Sequence, residues 1–279
     1  MKKTINKYLP LAYGKYFNGL ALISRQHAAK KAFELFCSPR KGKVLPHQKP
    51  YLDSAKDQVV TVNGLDIQTY RWAGPKETVL LLHGWESNAH RWRNLVQKLQ
   101  DDGFNTIAVD APAHGHSTGS ILNVPLYSDC VRKIIEVYGP AHIIGHSMGG
   151  MTTIYNQYKY PDPNIKKLVS LGSPSELRAL MDHYRNLLRF NKRVLTGLEH
   201  HLYTNYGIRT DEFSAALFSR ELGQSGLIIH DELDAIAPFS ASESIHAQWA
   251  NSSLLKTSGL GHSLHQEEVN DKIIDFLNS

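Results

Sequence analysis

Short apolar runs alternating with segments of helical spacing constrain the fold of this chain more than any other feature of its sequence. The runs are residues 79–82, 106–109, 143–144, 168–171, 227–229 and 254–255. Near-continuous apolar strands that alternate with helices are typical of a parallel sheet buried on both faces. The sequence therefore predicts an α/β fold with a mostly parallel sheet and helices on both of its faces.

An antiparallel hairpin is predicted just before the first of these runs. Apolar residues recur with a period of two from Val60 to Thr69, on either side of Asn63-Gly64. This dipeptide is typical of two-residue hairpin turns. The first two strands should therefore pair with each other before the parallel part of the sheet begins.

One interval between runs, from residue 172 to residue 226, is far longer than a single crossover helix requires. It opens with Ser173-Pro174-Ser175-Glu176, which fits a capping box with proline at the first helical position. Apolar residues then follow at helical spacing as far as Leu198. We expect a small helical cap at about residues 174–223, inserted in an α/β domain that spans residues 58–279.

Residues 1–57 are expected to form a basic, mainly helical segment that packs on the domain or extends from it. Residues 1–50 contain eleven lysines and arginines and a single acid, Glu34, so they carry a net charge of +10, against −5 for the rest. This asymmetry indicates either a solvated arm packed by its apolar side or a weak contact with an anionic membrane, and it does not indicate a nucleic-acid partner. Oligomeric state is left open.

The sequence contains neither a signal peptide nor a membrane span that can be recognised. Pro10, Lys15 and Asn18 interrupt the apolar positions near the N-terminus, and no stretch of 18 apolar residues exists. We therefore expect a cytoplasmic protein. The two cysteines, Cys37 and Cys130, show no spacing typical of a disulfide framework or a zinc site.

The strongest chemical signal is Gly145-His146-Ser147-Met148-Gly149, which directly follows the run at residues 143–144. In a tight turn between a strand and a helix, a serine projects its hydroxyl away from the sheet, and glycines two residues before and after it avoid collisions. Such a serine needs a base to take its proton and an acid to orient that base. Ser147 is therefore the candidate nucleophile.

Candidate partners for Ser147 follow the last two apolar runs. Asp234 or Asp231 is the candidate acid, and His262 or His265 is the candidate base. Asp234 is favoured because Asp231 lies closer to the strand end and suits a turn, and His262 is favoured because it follows Gly261. All of them lie beyond carboxyl ends of strands, where active sites of open α/β sheets form.

Four segments of the chain resemble motifs of the α/β-hydrolase superfamily, close to its esterase and lipase-like serine enzymes. They are His83-Gly84-Trp85, residues 110–117 (DAPAHGHS), residues 145–149 (GHSMG) and residues 230–238 (HDELDAIAP). Ala113 stands where the family usually has glycine, and Asp231 and Ala237 replace its glycine and valine. The resemblance covers roughly residues 59–277 and bears on the fold and the catalytic machinery far more than on the substrate.

The resemblance implies a role for each matching residue. Ser147 would attack an acyl carbon, His262 would act as the base, and Asp234 would orient His262. The backbone N–H groups of Trp85 and Met148 would form the oxyanion hole. A small-molecule acyl ester would be the substrate, and the expected activity is that of a carboxylesterase-like serine hydrolase acting on an ester or thioester, without a cofactor or metal.

Four side chains are candidates for a substrate pocket, although apolar residues at helical spacing more often belong to a core. They are Trp85, Met181, Tyr184 and Phe190. The pairs His114/His116 and His200/His201 lack further partners at metal-ligand spacing, so no metal site is predicted. The sequence leaves open a non-catalytic ligand receptor and other serine-triad enzymes, namely a perhydrolase, a C–C hydrolase or an acyltransferase.

Overall fold

The computed structural model describes residues 2–279, with side chains described from Tyr8 onward. The side chains of Lys2, Lys3 and Lys7, which enter the prediction of a basic segment, lie outside the described residues. The chain folds into two compact units. One consists of the N-terminal helices up to Ser38 together with Glu176–Ser214, and the other of Pro39–Ser175 together with Ala215–Ser279.

The larger unit is built on one eight-stranded sheet with the order β1-β2-β4-β3-β5-β6-β7-β8. The strands are β1 (Lys56–Val62), β2 (Leu65–Trp72), β3 (Thr78–Leu82), β4 (Asn105–Val109), β5 (His142–His146), β6 (Lys167–Leu171), β7 (Ser225–Asp231) and β8 (Ser252–Thr257). The strands from β3 to β8 pair in parallel, and each of the six apolar runs lies within one of them. The prediction of a mostly parallel α/β sheet is confirmed.

The predicted hairpin is present. Strands β1 and β2 pair antiparallel up to Val62 and Leu65, and β2 pairs antiparallel with β4. Asn63 and Gly64 have φ angles of 50° and 79°. Two consecutive residues with positive φ are what a type I′ hairpin turn requires, which explains why Asn-Gly occupies this turn.

Helices cover the sheet of the larger unit. They are α3 (Lys49–Leu52), α4 (Arg93–Asp101), α5 (Val124–Tyr138), α6 (Met148–Lys159), α9 (Ala215–Ser219), α10 (Phe239–Gln248) and α11 (Glu267–Asn278). Side chains of α4 and α11 form one buried cluster with alternate residues of the strands, such as Val79, Leu81 and Ile144. Helix α6 packs on β5, which places its first turn directly after the end of that strand.

The smaller unit is helical. It contains α1 (Lys2–Ile23), α2 (Arg25–Cys37), α7 (Leu177–Leu188) and α8 (Lys192–Tyr206), and α1 packs against the other three. Among the residues described, there is no helix with the length and apolar content needed to span a membrane.

The predicted capping box at residues 173–176 is wrong. Helix α7 begins only at Leu177, and Glu176 at its N-cap position makes no capping hydrogen bond. Instead, Ser175 accepts hydrogen bonds from the backbone of Ala215 and Ala216, and Glu176 forms an isolated bridge with Ser214. The two ends of the insertion pair with each other, so these polar groups serve a tertiary contact in place of a helix cap.

Candidate active site

Ser147 occupies a sharp turn between β5, which ends at His146, and α6, which begins at Met148. Its φ and ψ angles are 54° and −121°, which is uncommon for a residue with a side chain. The backbone N–H of Ser147 donates to the carbonyl of Leu171 at 2.7 Å and holds the turn against β6. A conformation of this kind stores about 1–3 kcal/mol and is typical of functional sites.

The two flanking glycines are required by the packing of this turn. A Cβ atom on Gly149 would lie 2.1 Å from the carbonyl oxygen of Leu82. A Cβ atom on Gly145 would lie 2.3 Å from the carbonyl oxygen of Gly149. The G-x-S-x-G spacing therefore reflects a close approach of α6 to the ends of β3 and β5.

The structure brings the three predicted catalytic side chains together. The Oγ atom of Ser147 lies 3.0 Å from Nε2 of His262, and Nδ1 of His262 lies 2.6 Å from Oδ2 of Asp234. The side chain of Asp234 is fully buried, whereas that of His262 remains 20% exposed. An acid, a base and a hydroxyl thus form a continuous hydrogen-bonded chain that ends at a partly open face.

The carboxylate of Asp234 is fixed by the loop that carries it. Its Oδ1 accepts the N–H groups of Ile236 and Ala237 at 2.7 and 3.1 Å. Nε2 of His230 lies 3.2 Å from Oδ2, and the other ring nitrogen of His230 contacts the hydroxyl of Ser242 at 2.6 Å. The carboxylate therefore has donors on both oxygens and keeps one orientation toward His262.

The alternative acid and base lie elsewhere. Asp231 is buried and accepts hydrogen bonds from the backbone of Leu233 and Leu260 and from the hydroxyl of Thr257, so it holds the turns after β7 and β8. His265 is exposed, and it is His262 that lies within hydrogen-bond distance of Ser147.

Trp85 and Met148, whose backbone N–H groups are the predicted oxyanion donors, belong to two segments that lie next to Ser147. Met148 is the first residue of α6, and Trp85 follows Gly84, where a Cβ atom would lie 2.8 Å from the Cβ of Ser147. Within the described part of the chain, neither N–H group has a hydrogen-bond acceptor. The N-terminus of α6 also favours negative charge at this point.

Buried histidines hold the loop that contains Trp85. The N–H of Glu86 donates to Nε2 of His114 at 3.0 Å, while Nδ1 of His114 donates to the carbonyl of Pro112. The N–H of Ala111 donates to Nε2 of His83, whose Nδ1 donates to the carbonyl of Gly84. These contacts require neutral rings, and burial lowers the pKa of His83 to about 3 and also lowers that of His114.

Asp110 anchors the segment that resembles the family's D-x-P-G-x-G-x-S motif. Its carboxylate accepts the N–H groups of Ala89 and His116 and the hydroxyl of Tyr70, all at 2.8–2.9 Å. Burial raises the pKa of Asp110, and these hydrogen bonds oppose that rise. The residue thus joins β2, β4 and the segment after the Trp85 loop, and has no contact with Ser147.

One supporting residue of the site was missed at the sequence level. Nη1 of Arg91 donates to Nδ1 of His146 at 2.6 Å, and Nη2 of Arg91 donates to the carbonyl of Ser263 at 2.8 Å. Nε2 of His146 in turn donates to the carbonyl of His262 at 2.7 Å. Arg91 and His146 therefore tie the loop of His262 to the turn of Ser147.

The protonation states of this pair follow from burial. Burial lowers the pKa of His146 well below its usual value, and the nearby guanidinium of Arg91 lowers it further. Burial also lowers the pKa of Arg91 to about 9, so the guanidinium stays charged at neutral pH. A neutral His146 can accept from Arg91 and donate to His262 at the same time.

The remaining pocket candidates lie in the interior of the helical unit. Met181, Tyr184 and Phe190 are buried there, and the hydroxyl of Tyr184 donates to the carbonyl of Ala32 at 2.9 Å. The ring of Tyr184 also packs against Phe36 and Phe190. Trp85 is half-buried, with its ring edge-on to His114.

No group of three or more metal-ligating side chains occurs between Tyr8 and Ser279. His114 and His116 are engaged with Glu86 and Tyr70, as described, and His200 and His201 lie near Thr204 and Asn205 one turn along α8.

Comparison with known proteins agrees with this fold. Residues 77–194 match the family model described as the alpha/beta hydrolase fold. This range contains Trp85, Ser147 and Met148, whereas Asp234 and His262 lie beyond it. The placement of those two residues therefore depends on the structure itself.

Three individual matches illustrate the relationship. A bifunctional esterase/perhydrolase of Acinetobacter calcoaceticus is 23% identical over 277 residues, covering 79% of this chain and 99% of that protein. An esterase of Mycobacterium tuberculosis is 32% identical over 110 residues, covering 38% of this chain and 36% of that protein. The structure of an esterase from Exiguobacterium antarcticum matches with a TM-score of 0.64 at 17% identity, covering 80% of this chain and 100% of that one. Given its sheet order, the turn at Ser147 and these matches, the chain has the α/β-hydrolase fold.

Proposed function

We propose that this protein is a serine hydrolase that cleaves a carboxylic ester or thioester through an acyl-enzyme on Ser147. The observation that carries the proposal is the hydrogen-bonded chain from Ser147 through His262 to Asp234, with contacts of 3.0 and 2.6 Å. A nucleophile, a base and an acid linked in this order can transfer an acyl group to the serine and then to water.

Each group has one task in the first half of the reaction. His262 accepts the hydroxyl proton through Nε2 while Oγ of Ser147 attacks the acyl carbon. Asp234 holds Nδ1–H of His262 and stabilises the imidazolium that forms. The N–H groups of Trp85 and Met148 donate to the oxyanion, and loss of one such donor typically costs about 10²–10³ in rate.

The leaving group then departs, and water hydrolyses the acyl-enzyme. His262 gives its proton to the departing alkoxide or thiolate, which leaves an ester between the acyl group and Ser147. A water molecule then attacks this ester while His262 takes a proton from the water. The acid product leaves, and the proton returns to Ser147, so the enzyme regains its starting state.

A fluorophosphonate probe tests the proposal directly, because it reacts with a serine activated in this way. We expect mass spectrometry to find the adduct on Ser147 and Ser147→Ala to lose both the adduct and at least about 10⁴-fold of the esterase activity. The matched control is Ser244→Ala, which alters an exposed serine of α10. Full labelling of Ser147→Ala, or an unreactive wild-type protein, would contradict the proposal and favour a ligand receptor.

Perhydrolysis is a second candidate, and the match that spans 99% of an esterase/perhydrolase and 79% of this chain favours it. In this reaction hydrogen peroxide replaces water as the nucleophile that attacks the acyl-enzyme, and a peracid is released. Peracid formation from a short-chain ester and peroxide should then depend on Ser147 to the same degree as ester hydrolysis. A panel of nitrophenyl esters and acyl thioesters, run in parallel, identifies the acyl group that the site prefers.

A further inference from the structure

One face of helix α1 is apolar and exposed along most of its length. It consists of Leu9, Ala12, Tyr16, Gly19, Leu22 and Ile23, which we call the α1 outer face. Successive members are mostly three or four residues apart, so they share one side of the helix. The opposite side, with Gly14, Phe17 and Ala21, is buried in the helical unit.

The exposure of these side chains is large. Tyr16 is 52% exposed, Leu22 72% and Ile23 88%. Leu9 and Tyr16 also line a shallow surface depression of about 350 Å³ together with Ala12 and Tyr13. At 1.5 Å per residue, the face from Leu9 to Ile23 is about 21 Å long. Single exposed apolar residues are ordinary, but a continuous exposed stripe of this kind marks an interaction surface.

The charged residues of the α1 segment itself are of one sign. Residues 1–23 contain Lys2, Lys3, Lys7 and Lys15 and no acid, and Lys15 is the only charged residue from Tyr8 to Ile23. A second copy of the chain docked face to face would bring together two segments that each carry four lysines and no acid, which is unfavourable. An anionic surface, in contrast, would complement the same charges.

We propose that the α1 outer face docks the protein on an anionic lipid surface. Helix α1 lies in the plane of the headgroups, with Leu9, Leu22 and Ile23 among the upper acyl chains. Tyr16 occupies the interface between the acyl chains and the headgroups, and Lys15 reaches the lipid phosphates by extending its apolar stem. The proposal does not depend on the hydrolase activity, because it concerns a surface of the helical unit alone.

Vesicle flotation with the full-length protein tests this proposal. The probes are vesicles of phosphatidylcholine alone and of phosphatidylcholine mixed with phosphatidylglycerol. We expect binding to the mixed vesicles, little binding to phosphatidylcholine alone, and release as salt screens the lysines. Equal binding to both kinds of vesicle, or binding that ignores salt, would overturn the anionic preference.

Paired variants separate the α1 outer face from general stickiness. Leu22→Glu/Ile23→Glu should lower the partition coefficient for the mixed vesicles at least about tenfold, because two inserted apolar groups become charged. Val59→Glu/Val137→Glu is the matched control, since these exposed valines lie in the sheet unit. Circular dichroism checks that both variants keep the fold. Unchanged binding of the α1 variant, or an equal loss in the control, would refute the proposal.

Light scattering tests the competing occupant, a second copy of the chain. We expect that, without vesicles, two copies of the chain do not associate through the α1 outer face. The molar mass of Leu22→Glu/Ile23→Glu should therefore equal that of the wild-type protein. A wild-type dimer that this variant dissociates would show that the face is covered by another copy and would overturn lipid docking.

Discussion

Replacing Arg91 with methionine tests whether this arginine positions His262, the proposed base. The side chain of Arg91 donates to Nδ1 of His146 and to the carbonyl of Ser263, and His146 donates to the carbonyl of His262. Methionine keeps much of the volume but removes both donors. The ring of His146 then loses one of its two hydrogen-bond partners, and the loop of His262 loses the bridge that runs from Ser263 through Arg91 to the turn of Ser147.

The expected loss lies in catalysis more than in stability. Hydrogen bonds to a charged group are worth about 1.5–3 kcal/mol each. Against this, the guanidinium is partly buried and its Nε has no partner among the described residues, so removing the charge recovers a desolvation cost. We therefore expect the free energy of unfolding to change by less than about 2 kcal/mol. A displacement of His262 by about 1 Å can cost about 10²-fold in rate, or about 2.7 kcal/mol of barrier.

Steady-state hydrolysis of a nitrophenyl ester measures this effect. Arg91→Met should lower kcat by about 10- to 100-fold and change KM by less than about threefold, because the defect concerns the base and not substrate binding. Arg91→Lys should give an intermediate kcat, since an ammonium cannot reproduce the fork of a guanidinium. The control is Arg93→Met, an exposed arginine two residues along. A wild-type kcat in Arg91→Met, or an equal loss in Arg93→Met, would refute the reasoning.

Three further predictions concern the same site. Asp234→Asn should keep the fold but lower kcat by about 10⁴-fold, because the amide disfavours the tautomer that His262 needs; ester hydrolysis and thermal melting measure the two effects. Gly149→Ala should destabilise by more than about 2 kcal/mol in urea unfolding, because its Cβ would lie 2.1 Å from the carbonyl of Leu82. Lowering the pH from 8 to 5 should reduce the free energy of unfolding by about 2 kcal/mol through His83 alone. The pKa of His83 is about 3 in the folded protein and lies well below its value in the unfolded chain, so the unfolded chain takes up the proton first as the pH falls. This last prediction would be contradicted if the urea concentration at the unfolding midpoint were not lower at pH 5 than at pH 8.

The sheet and the turn that carries Ser147 could be predicted because their signals are local. Each parallel strand is a short apolar run, and the hairpin turn is visible as Asn63-Gly64, where the backbone needs positive φ at both positions. Ser147 is visible for a similar reason, because a Cβ atom on Gly145 would lie 2.3 Å from the carbonyl oxygen of Gly149 in the same turn. In such cases the residue type and its physical cause lie in the same few residues.

The grouping of the helices could not be predicted in this way. The N-terminal helices up to Ser38 share a compact unit with Glu176–Ser214, although nearly 140 residues lie between them. The pattern at residues 173–176 fits a helix cap by its local sequence, but those groups are used by Ala215, Ala216 and Ser214 instead. A local pattern cannot reveal a competing partner that lies some forty residues away, so the tertiary contact overrides it.

Arg91 is the clearest case of a role that only the fold creates. Its two acceptors, His146 and the carbonyl of Ser263, lie 55 and 172 residues along the chain, and one of them is a backbone group that no residue type can signal. In the sequence, Arg91 is one of two arginines that flank Trp92 and looks like Arg93, which is exposed. The two arginines differ in burial. Removing the guanidinium of Arg91 from water without a carboxylate partner costs free energy, and packing alone does not explain why this cost is accepted. The compensation visible in the structure is the fixed position of the His262 loop, and this is the reason to look for the effect of Arg91 in kcat.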